Sequence, residues 1–496
     1  MRFPGSVVEH HPALVPCTDD SFFNSHVVIA RLNGHHCELR LSTEELTFYG
    51  FSNSLATMAV QVPSASLAAS RFADRLGARF ESTHRDSAVS RVGATEVKTG
   101  VSDALAVEEV VVRTKRLVRD EVIPVELEYG GSAHDAPEHL RIDLQGAARR
   151  AGVFAPHVSH EFGGLGLGMR DRAAVFEAAG YSLFGPLALN CAAPDEGNVH
   201  LLEQVATAAQ KQMFLRPLAN GEIRSCFAMT EPAPGAGSDP RALATTARRT
   251  SAGWVINGRK WFITGADGAA FAIVMARTSG EPGSRGGATM FLVPLDRPGL
   301  HIERNLDTLD VSMFGGHSEL AFDNVEINDN AVLGEVDRGF EYAQVRLGPA
   351  RMTHCMRWLG AVRRAADIAV EQAARRKAFG ATLGDLGMVQ QLIADSEIDI
   401  EASRALTAKA CEDLDSGAPS AQITSIAKTF VSEAVNRVAD RSLQICGALG
   451  VSADIPLSRI FREVRPFRIY DGPSETHRWA IARRVLREAT RERNDQ

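Results

Sequence analysis

The chain has 496 residues, of which 45% are hydrophobic and 23% charged, with a formal net charge of −7 and a pI of about 6.1. This composition is typical of a soluble globular protein, and its acidic balance predicts neither nucleic acid nor an anionic membrane as a partner. The seven cysteines are scattered without a C-x-x-C pair, which favours a reducing cytoplasm, and no apolar run approaches the roughly 20 residues of a membrane-spanning helix.

Residues 1–102 carry the weakest structural signal. The first 20 residues lack the basic segment and apolar core of a signal peptide. Residues 35–50 read as one or two strands and residues 64–80 as a short amphipathic helix, whereas much of the rest is rich in Ser, Thr and Ala. A loosely ordered extension is therefore favoured over a complete domain, and its role is not predicted.

A helical domain is predicted for residues 103–225. Asp103 is a plausible N-cap for a helix that ends near Pro124, since proline interrupts the helical hydrogen-bond ladder. Three further segments, 139–152, 170–185 and 198–221, repeat the helical spacing of apolar residues and end at glycine.

Residues 226–335 change to the alternating period of β-strands, which predicts a compact β-barrel domain. Asn257-Gly258 is predicted as a hairpin turn, because this dipeptide favours the backbone of a two-residue β-turn. Further strands are predicted at 271–278, 288–295, 300–306 and 318–327.

Residues 336–496 return to helix, in four long segments joined by short Gly-containing connections, as in an antiparallel bundle. The predicted fold class is therefore α+β, with an N-terminal helical domain, a central β-barrel and a C-terminal four-helix bundle.

Several familiar catalytic motifs do not occur in the sequence. There is no G-x-S-x-G elbow, Walker loop, H-E-x-x-H or metal-spaced His or Cys pair, so no metal site is predicted. The Gly-rich run at 163–168 lacks the G-x-G-x-x-G spacing and does not follow a strand, which argues against a nicotinamide site.

Two stretches of the β domain have a composition suited to a cofactor. The Gly-rich loop 227–240 can bring backbone N–H groups and the Ser238 hydroxyl close to an anion, although a simple surface turn has the same composition. On strand 258–266, one of the adjacent rings of Trp261 and Phe262 is expected to face the core, and Thr264 shares a face with Phe262. An aromatic ring and a hydroxyl on one face suit a planar cofactor; ordinary core packing is the alternative.

The segment FRIYDGPSETHR, residues 467–478, places a carboxylate where a helix breaks. Gly472-Pro473 explains the break, because the residue before a proline disfavours the helical conformation. It does not explain Asp471, which is either a helix-capping acid or a functional base.

The motifs taken together resemble the acyl-CoA dehydrogenase family. They are MTEP followed by GAGSD, then NGRKWFITGA, SELAFDNVEI, RRKAFG, LQICGALGV and YDG, and the resemblance covers roughly residues 103–490. It implies the fold predicted above, bound FAD, and oxidation of an acyl-CoA thioester to 2-enoyl-CoA. It also implies an electron-transfer flavoprotein or similar acceptor and a homodimer or homotetramer.

The resemblance assigns roles to particular residues. Residues implied to bind FAD are Phe227, Met229, Thr230, Gly237, Ser238, Phe262, Thr264, Arg376, Phe379, Gln444 and Gly447. Among these, Arg376, Phe379, Gln444 and Gly447 correspond to contacts with the FAD of a neighbouring subunit. Residues implied to bind substrate are Ser238, Arg351, Tyr470 and Gly472, and loop 161–168 resembles the segment over the substrate channel.

Asp471 occupies the position of the family's catalytic base, which is more often Glu. The patterns RLGPAR at 346–351, GGH at 315–317 and DGPSETH at 471–477 resemble a subgroup that uses Asp. The pKa of Asp471 is expected to rise on burial against the flavin and the acyl chain, and Glu475 is the next candidate base. Two alternatives stay open: a flavin oxidase of the nitroalkane oxidase type on the same fold, and a non-catalytic FAD-binding subunit.

Overall fold

The computed structural model describes residues 26–32, 35–41, 46–49 and 100–494. The chain divides into two units, residues 1–95 and 96–496. In the first, strands β1 (His26–Leu32), β2 (His35–Leu41) and β3 (Leu46–Tyr49) form an antiparallel sheet in chain order. The strands predicted within residues 35–50 are thus confirmed, and the helix predicted at 64–80 lies outside the described residues.

The second unit begins with a helical region. Its helices are α1 (Gly100–Leu117), α2 (Ile123–Glu128), α3 (Glu138–Ala151), α4 (Met169–Gly180), α5 (Gly185–Ala188), α6 (Asp195–Val205), α7 (Ala208–Gln210) and α8 (Arg216–Ala219). Two π-helical turns, Val118–Val122 and Lys211–Leu215, join α1 to α2 and α7 to α8.

Both predicted ends of the first helix are wrong, because the helix begins earlier in the chain and helical structure continues further than predicted. It begins at Gly100, ahead of the predicted N-cap Asp103, and helical structure continues past Pro124 to Glu128. The π turn Val118–Val122 explains the difference, because it shifts the hydrogen-bond register just before the proline. Pro124 then lies in the first turn of α2, where its missing N–H is tolerated.

Eight strands form the central mixed sheet. They are β4 (Ser225–Ala228), β5 (Thr246–Thr250), β6 (Gly253–Thr264), β7 (Phe271–Arg277), β8 (Ala288–Pro294), β9 (Leu300–Asn305), β10 (His317–Ile327) and β11 (Val332–Leu333). The pairing order is β11-β8-β7-β5-β6-β10-β9, and β4 adds to β7 in parallel. The predicted barrel is therefore not closed. Strand β9, exposed along most of its length, ends the sheet instead of pairing with β11.

The hairpin turn predicted at Asn257-Gly258 is wrong. Thr250 pairs with Gly253, so the chain turns at residues 251–252, and Gly258 lies inside β6. Gly258 has φ 149°, and a Cβ there would lie 2.5 Å from Thr245 Oγ1. This glycine is needed for close packing and not for a turn.

Helices α9 (Gly339–Arg375), α10 (Gly387–Asp415), α11 (Ala421–Cys446), α12 (Ala448–Val451), α13 (Leu457–Val464) and α14 (Ser474–Asn494) follow the sheet. The short strands β12 (Lys377–Ala378) and β13 (Ala381–Thr382) form a hairpin after α9. The four long helices confirm the predicted bundle. Helix α9 packs against α10, α11 and also α4, which joins the bundle to the N-terminal helices.

The α+β class and the order of helices, sheet and helices are confirmed, whereas the domain borders after residues 102, 225 and 335 remain predictions. In the part of the chain that the structure describes, no helix is long and apolar enough to span a bilayer. The same residues contain no group of three or more His, Cys, Asp or Glu side chains arranged to hold a metal ion.

Candidate active site

Asp471 lies in the turn that separates the short helix Arg465–Arg468 from α14. Its φ is 54° and that of Gly472 is 97°, so two successive residues leave the right-handed helical region. The Asp471 carbonyl accepts hydrogen bonds from Arg351 Nε at 3.0 Å and His477 Nε2 at 3.1 Å. The helix break is therefore held through its backbone, which leaves the carboxylate available for another role.

The Asp471 carboxylate is mostly buried, with 16% of its side chain exposed. Its Oδ2 atom lies 3.5 Å from His354 Nε2 and has no hydrogen-bond partner among the described residues. A buried carboxylate oxygen without a donor is costly, and such exceptions concentrate at functional sites. This geometry suits a proton acceptor.

The charges around Asp471 reverse the shift expected from burial alone. Burial raises the pKa of the Asp471 carboxyl, but the cations of Arg346, Arg351 and Lys428, and the charge that His354 carries when protonated, together lower it below its usual value. His354 itself is held neutral, because burial and the nearby Arg357 lower its pKa to about 3. The carboxylate is therefore ionised at neutral pH, and a rise in its pKa on burial against the flavin and the acyl chain remains a prediction.

Lys428 and His477 hold the Asp471 turn in place. Lys428, which is fully buried on α11, donates from Nζ to the Gly472 carbonyl at 2.6 Å. Burial lowers the pKa of Lys428 to about 8, although the Asp471 charge opposes this. The His477 ring packs under Gly472, where a Cβ would lie 2.7 Å from Nε2. Sequence reasoning assigned neither side chain a role; the signal for Lys428 was a lone cation among apolar positions of α11.

Tyr470, predicted to bind substrate, is tied to the helix α9 side of the site. Trp358 Nε1 donates to the Tyr470 hydroxyl at 2.5 Å, and the Tyr470 ring packs against His354 with centroids 4.9 Å apart. Burial raises the pKa of Tyr470 well above its usual value, and the charges of Asp471 and Asp310 add to this. Trp358 also lines a cavity of about 60 Å³ between the helices and the sheet.

Arg346 links the Asp471 region to strand β4. Its guanidinium lies 4.1 Å from the centre of the Phe227 ring and donates from Nε to Asn198 Oδ1 at 2.8 Å. Arg346 is also one of the charges that lower the pKa of Asp471. Phe227, predicted on a cofactor strand, and Asp471 are thus brought to one region.

A β-bulge shapes the edge of strand β6. Residues 261 and 262 stand opposite Glu319 alone, because the register with β10 shifts between Ser318 and Leu320. At the bulge Phe262 has φ 52° and is 49% exposed, while Ile263 is buried in the core of the sheet. Trp261 is only partly buried, so the expectation that one of the two rings faces the core is wrong. Neither ring belongs to the buried core of the sheet.

Thr230 and Met229 lie beside this bulge. The Thr230 hydroxyl donates to the Trp261 carbonyl at 2.7 Å, and the Trp261 N–H donates to the Thr230 carbonyl at 3.1 Å. The Met229 carbonyl accepts from Lys260 Nζ at 3.0 Å. The predicted cofactor residues of β4 and β6 are therefore neighbours.

A buried ion pair organises the Gly-rich loop. Lys260 Nζ lies 2.8 Å from Glu231 Oε1, and both side chains are almost fully buried. Glu231 also accepts backbone N–H groups of Ala236, Ala244 and Thr245, which fixes the path of residues 231–245. Burial lowers the pKa of Lys260 to about 8, against the raising effect of Glu231. Sequence reasoning missed this pair, although both residues lie inside the quoted motifs.

Gly237 and Ser238 are exposed at the tip of this loop, and a Cβ at Gly237 would meet nothing within 4 Å. Open space and free backbone suit an anionic group.

The remaining predicted residues lie at the surface. Phe379 is 93% exposed with φ 52° in the hairpin after α9, close in sequence to the exposed Arg376. Gln444 and Gly447 are exposed at the end of α11. Glu475, the second candidate base, has a side chain that is 77% exposed and faces Arg478.

Comparison with known proteins places this geometry in a family. The N-terminal, middle and C-terminal domains of acyl-CoA dehydrogenase match residues 106–222, 226–325 and 337–486. The chain is 40% identical over 362 residues to the probable acyl-CoA dehydrogenase FadE2 of Mycobacterium tuberculosis, covering 72% of this chain and 88% of that protein. It is 37% identical over 404 residues to acyl-CoA dehydrogenase family member 11 of Rattus norvegicus, covering 78% of this chain but only 51% of that protein.

Solved structures agree. A putative acyl-CoA dehydrogenase from Mycobacterium abscessus superposes with a TM-score of 0.72 at 34% identity, covering 77% of this chain and 98% of that chain. The FAD complex of PigA superposes with a TM-score of 0.70 at 25% identity, covering 79% and 99%.

Proposed function

Because the chain belongs to the acyl-CoA dehydrogenase family, we propose that it oxidises an acyl-CoA thioester to 2-enoyl-CoA with bound FAD, and that Asp471 removes the α-proton. The observation that carries the proposal is the buried, ionised Asp471 carboxylate, whose Oδ2 has no hydrogen-bond partner in the described part of the chain. The place of Asp471 in the YDG motif also supports this role.

The residues around the β6 bulge fit a flavin. Phe262 offers a half-exposed ring, Thr264 a hydroxyl two residues further along β6, and Met229 and Thr230 a neighbouring stretch of backbone. Gly237 and Ser238 offer open space for the pyrophosphate and for the pantetheine arm of CoA. When bound, FAD would supply N5 as the hydride acceptor.

Asp471 would act as general base. An α-C–H bond beside a thioester becomes acidic as hydrogen bonds stabilise the developing enolate, so a carboxylate of low pKa can remove the proton once it is positioned. Arg351 and His477 hold the Asp471 backbone, and Lys428 holds that of Gly472, which restricts where the shorter side chain of Asp can reach. The patterns RLGPAR, GGH and DGPSETH support placing the chain in the subgroup with an Asp base.

The exposed residues support a homodimer or homotetramer. The exposed Phe379 would complete the FAD site of a neighbouring subunit together with Arg376, Gln444 and Gly447. Light scattering that shows a monomer with tightly bound FAD would contradict this arrangement. The electrons would pass to an electron-transfer flavoprotein or a similar acceptor.

The direct test is anaerobic titration of the purified flavoprotein with a series of acyl-CoAs while the visible flavin absorbance is followed. We expect the flavin to bleach with at least one acyl-CoA and to reoxidise slowly in air once product is bound. A protein that cannot be reconstituted with FAD would refute the proposal. Rapid peroxide formation from nitroalkanes, without bleaching by any acyl-CoA, would favour the oxidase alternative instead.

A further inference from the structure

A row of three hydrogen-bonded side chains runs inward from the proposed flavin edge. Thr264 and His317 are direct partners across strands β6 and β10, and Thr264 Oγ1 lies 2.9 Å from His317 Nδ1. On the other side of the ring, His317 Nε2 lies 3.1 Å from Asp310 Oδ2. His317 is 9% exposed and Asp310 is 6% exposed, so the row is nearly closed to solvent.

The direction of these hydrogen bonds follows from the charge on Asp310. Burial raises the pKa of the Asp310 carboxyl, but the hydrogen bond with His317 and the charge that His317 carries when protonated outweigh this and lower the pKa below its usual value, so the carboxylate is ionised. An ionised carboxylate only accepts, which places the proton of the neutral imidazole on Nε2 and leaves Nδ1 as an acceptor. The Thr264 hydroxyl therefore donates to Nδ1, and its oxygen lone pairs face away from His317.

Five other ionisable groups of the described residues lie near this row but not within it. They lie just before β4, in the loops beside the sheet, on α13 and next to Asp471, and they are Arg224, His134, Asp267, Glu463 and Tyr470. Arg224 donates to the Gly265 carbonyl at 3.2 Å, next to Thr264. Burial raises the pKa of Glu463 to about 7, and its carboxylate accepts from Val311 N and Ser312 Oγ. None of them comes between Thr264 and Asp310, which hydrogen-bond directly to the two nitrogens of His317.

We propose that His317, oriented by Asp310, accepts the proton that leaves flavin N5 each time the cofactor is reoxidised, with Thr264 as the relay. This inference rests on the proposed function and on the family resemblance, which implies that Thr264 lies near flavin N5. Thr264 gives its hydroxyl proton to Nδ1 and takes the N5 proton in exchange, so that one N–H bond breaks and one forms. The two electrons leave for the one-electron acceptor protein of the proposed reaction.

His317 then carries the positive charge next to the Asp310 carboxylate until the proton is released to solvent. During oxidation the substrate would deliver a hydride, so Thr264 would pass no proton to His317. Loss of the row should therefore slow the reoxidation of the flavin and have much less effect on the rate of its reduction.

The test separates the two half-reactions and does not require the physiological substrate. The flavoprotein is reduced with dithionite and reoxidised by ferricenium in a stopped-flow instrument, in water and in deuterium oxide. In His317→Gln we expect reoxidation to slow by about 10²-fold, at the lower end of what a positioned proton acceptor contributes, and its solvent isotope effect to change. Reduction by acyl-CoA should stay within about twofold of wild type. His134→Gln, which removes a neighbouring ring that does not contact Thr264, serves as the matched control.

A second readout uses the flavin-free protein. Nitrogen NMR of ¹⁵N-histidine-labelled protein should show His317 protonated at Nε2, and Asp310→Asn should move the proton to Nδ1. Unchanged reoxidation and isotope effect in a flavin-loaded His317→Gln would overturn the relay, as would protonation at Nδ1 in wild type. If no acyl-CoA bleaches the flavin while reoxidation still depends on His317, the proposed substrate is wrong and the relay stands.

Discussion

The ammonium group of Lys428 donates a 2.6 Å hydrogen bond to the carbonyl of Gly472, the residue that follows the proposed base. A fully buried lysine thereby connects the middle of the C-terminal bundle to the turn that carries Asp471. Its charge also lowers the pKa of Asp471. One side chain thus contributes to both the position and the ionisation of the base.

Asp471→Asn should abolish proton abstraction while the fold and cofactor are retained. Asn keeps the size of the side chain but cannot accept the α-proton as a carboxylate does. We expect the anaerobic rate of flavin reduction by acyl-CoA to fall by about 10² to 10⁴, the usual contribution of a positioned base. Loss of FAD from this variant would indicate a structural role, and an unchanged rate would show that another group takes the proton.

In the pH profile of flavin reduction, the acid limb, in which the rate falls as the base is protonated, should lie at low pH. The pKa of Asp471 lies below its usual value, so the carboxylate stays ionised as the pH falls from 8 to about 5, and activity is lost only on further acidification. Lys428→Met removes one of the lowering charges and should move this limb to higher pH. The measurement is the second-order rate of anaerobic bleaching against pH. A limb above pH 6 in wild type would contradict the charge arrangement.

His477 should make the protein sensitive to mild acid. Burial lowers its pKa to about 4 in the folded protein from an ordinary 6.5, so the unfolded chain binds more protons between these values. This contribution to stability is present above pH 6.5 and is lost as the pH falls, by up to about 2 kcal/mol between pH 7 and pH 5. Between pH 7 and pH 5 we expect the urea midpoint to fall less in His477→Asn than in wild type. Each protein is compared with its own midpoint at pH 7.

The contributions of Lys260 and Glu231 to the free energy of unfolding should be coupled. Replacing one member of a buried pair leaves an uncompensated charge, so Lys260→Met or Glu231→Gln alone should cost about 3–5 kcal/mol in unfolding free energy. The double variant should recover part of this loss, because no buried charge remains. Glu231→Gln should also weaken FAD binding by loosening loop 231–245. Additive effects in a double-mutant cycle would argue against coupling.

Gly472→Ala should disturb the base turn. At φ 97° an alanine is strained, and its Cβ would lie 2.7 Å from His477 Nε2. We expect loss of stability and slower flavin reduction together. Gly387→Ala is the matched control, because Gly387 begins a helix, has no left-handed φ and meets nothing within 4 Å. Equal effects of the two substitutions would show that backbone strain at Gly472 is not the cause.

The sequence was most informative where local pattern and motif agree. Helical spacing located the four long bundle helices, and the alternating period located most strands of the sheet. The π turn before Pro124 and the packing of Gly258 against Thr245 were not predictable, because both depend on contacts with residues outside the local pattern.

The same limit applied at the site. Motifs identified Asp471, Phe262 and Thr264, but the direction of the Asp471 pKa shift depends on cations from α9 and α11 that only the fold brings together. Lys428, His354 and Asp310 lie outside the residues assigned from the sequence for that reason.

The bulge at residues 261 and 262 shifts the alternation of buried side chains along strand β6 by one residue. Trp254, Ile256 and Lys260 are buried at even positions, whereas after the bulge Ile263 is buried and Thr264 turns toward His317. On an uninterrupted strand Lys260 and Thr264, four residues apart, would point to the same side. The lysine that anchors the Gly-rich loop and the hydroxyl proposed for the flavin could not then both reach their partners. Deleting one residue at the bulge should therefore disturb both the Gly-rich loop, which Lys260 anchors, and the placement of the Thr264 hydroxyl.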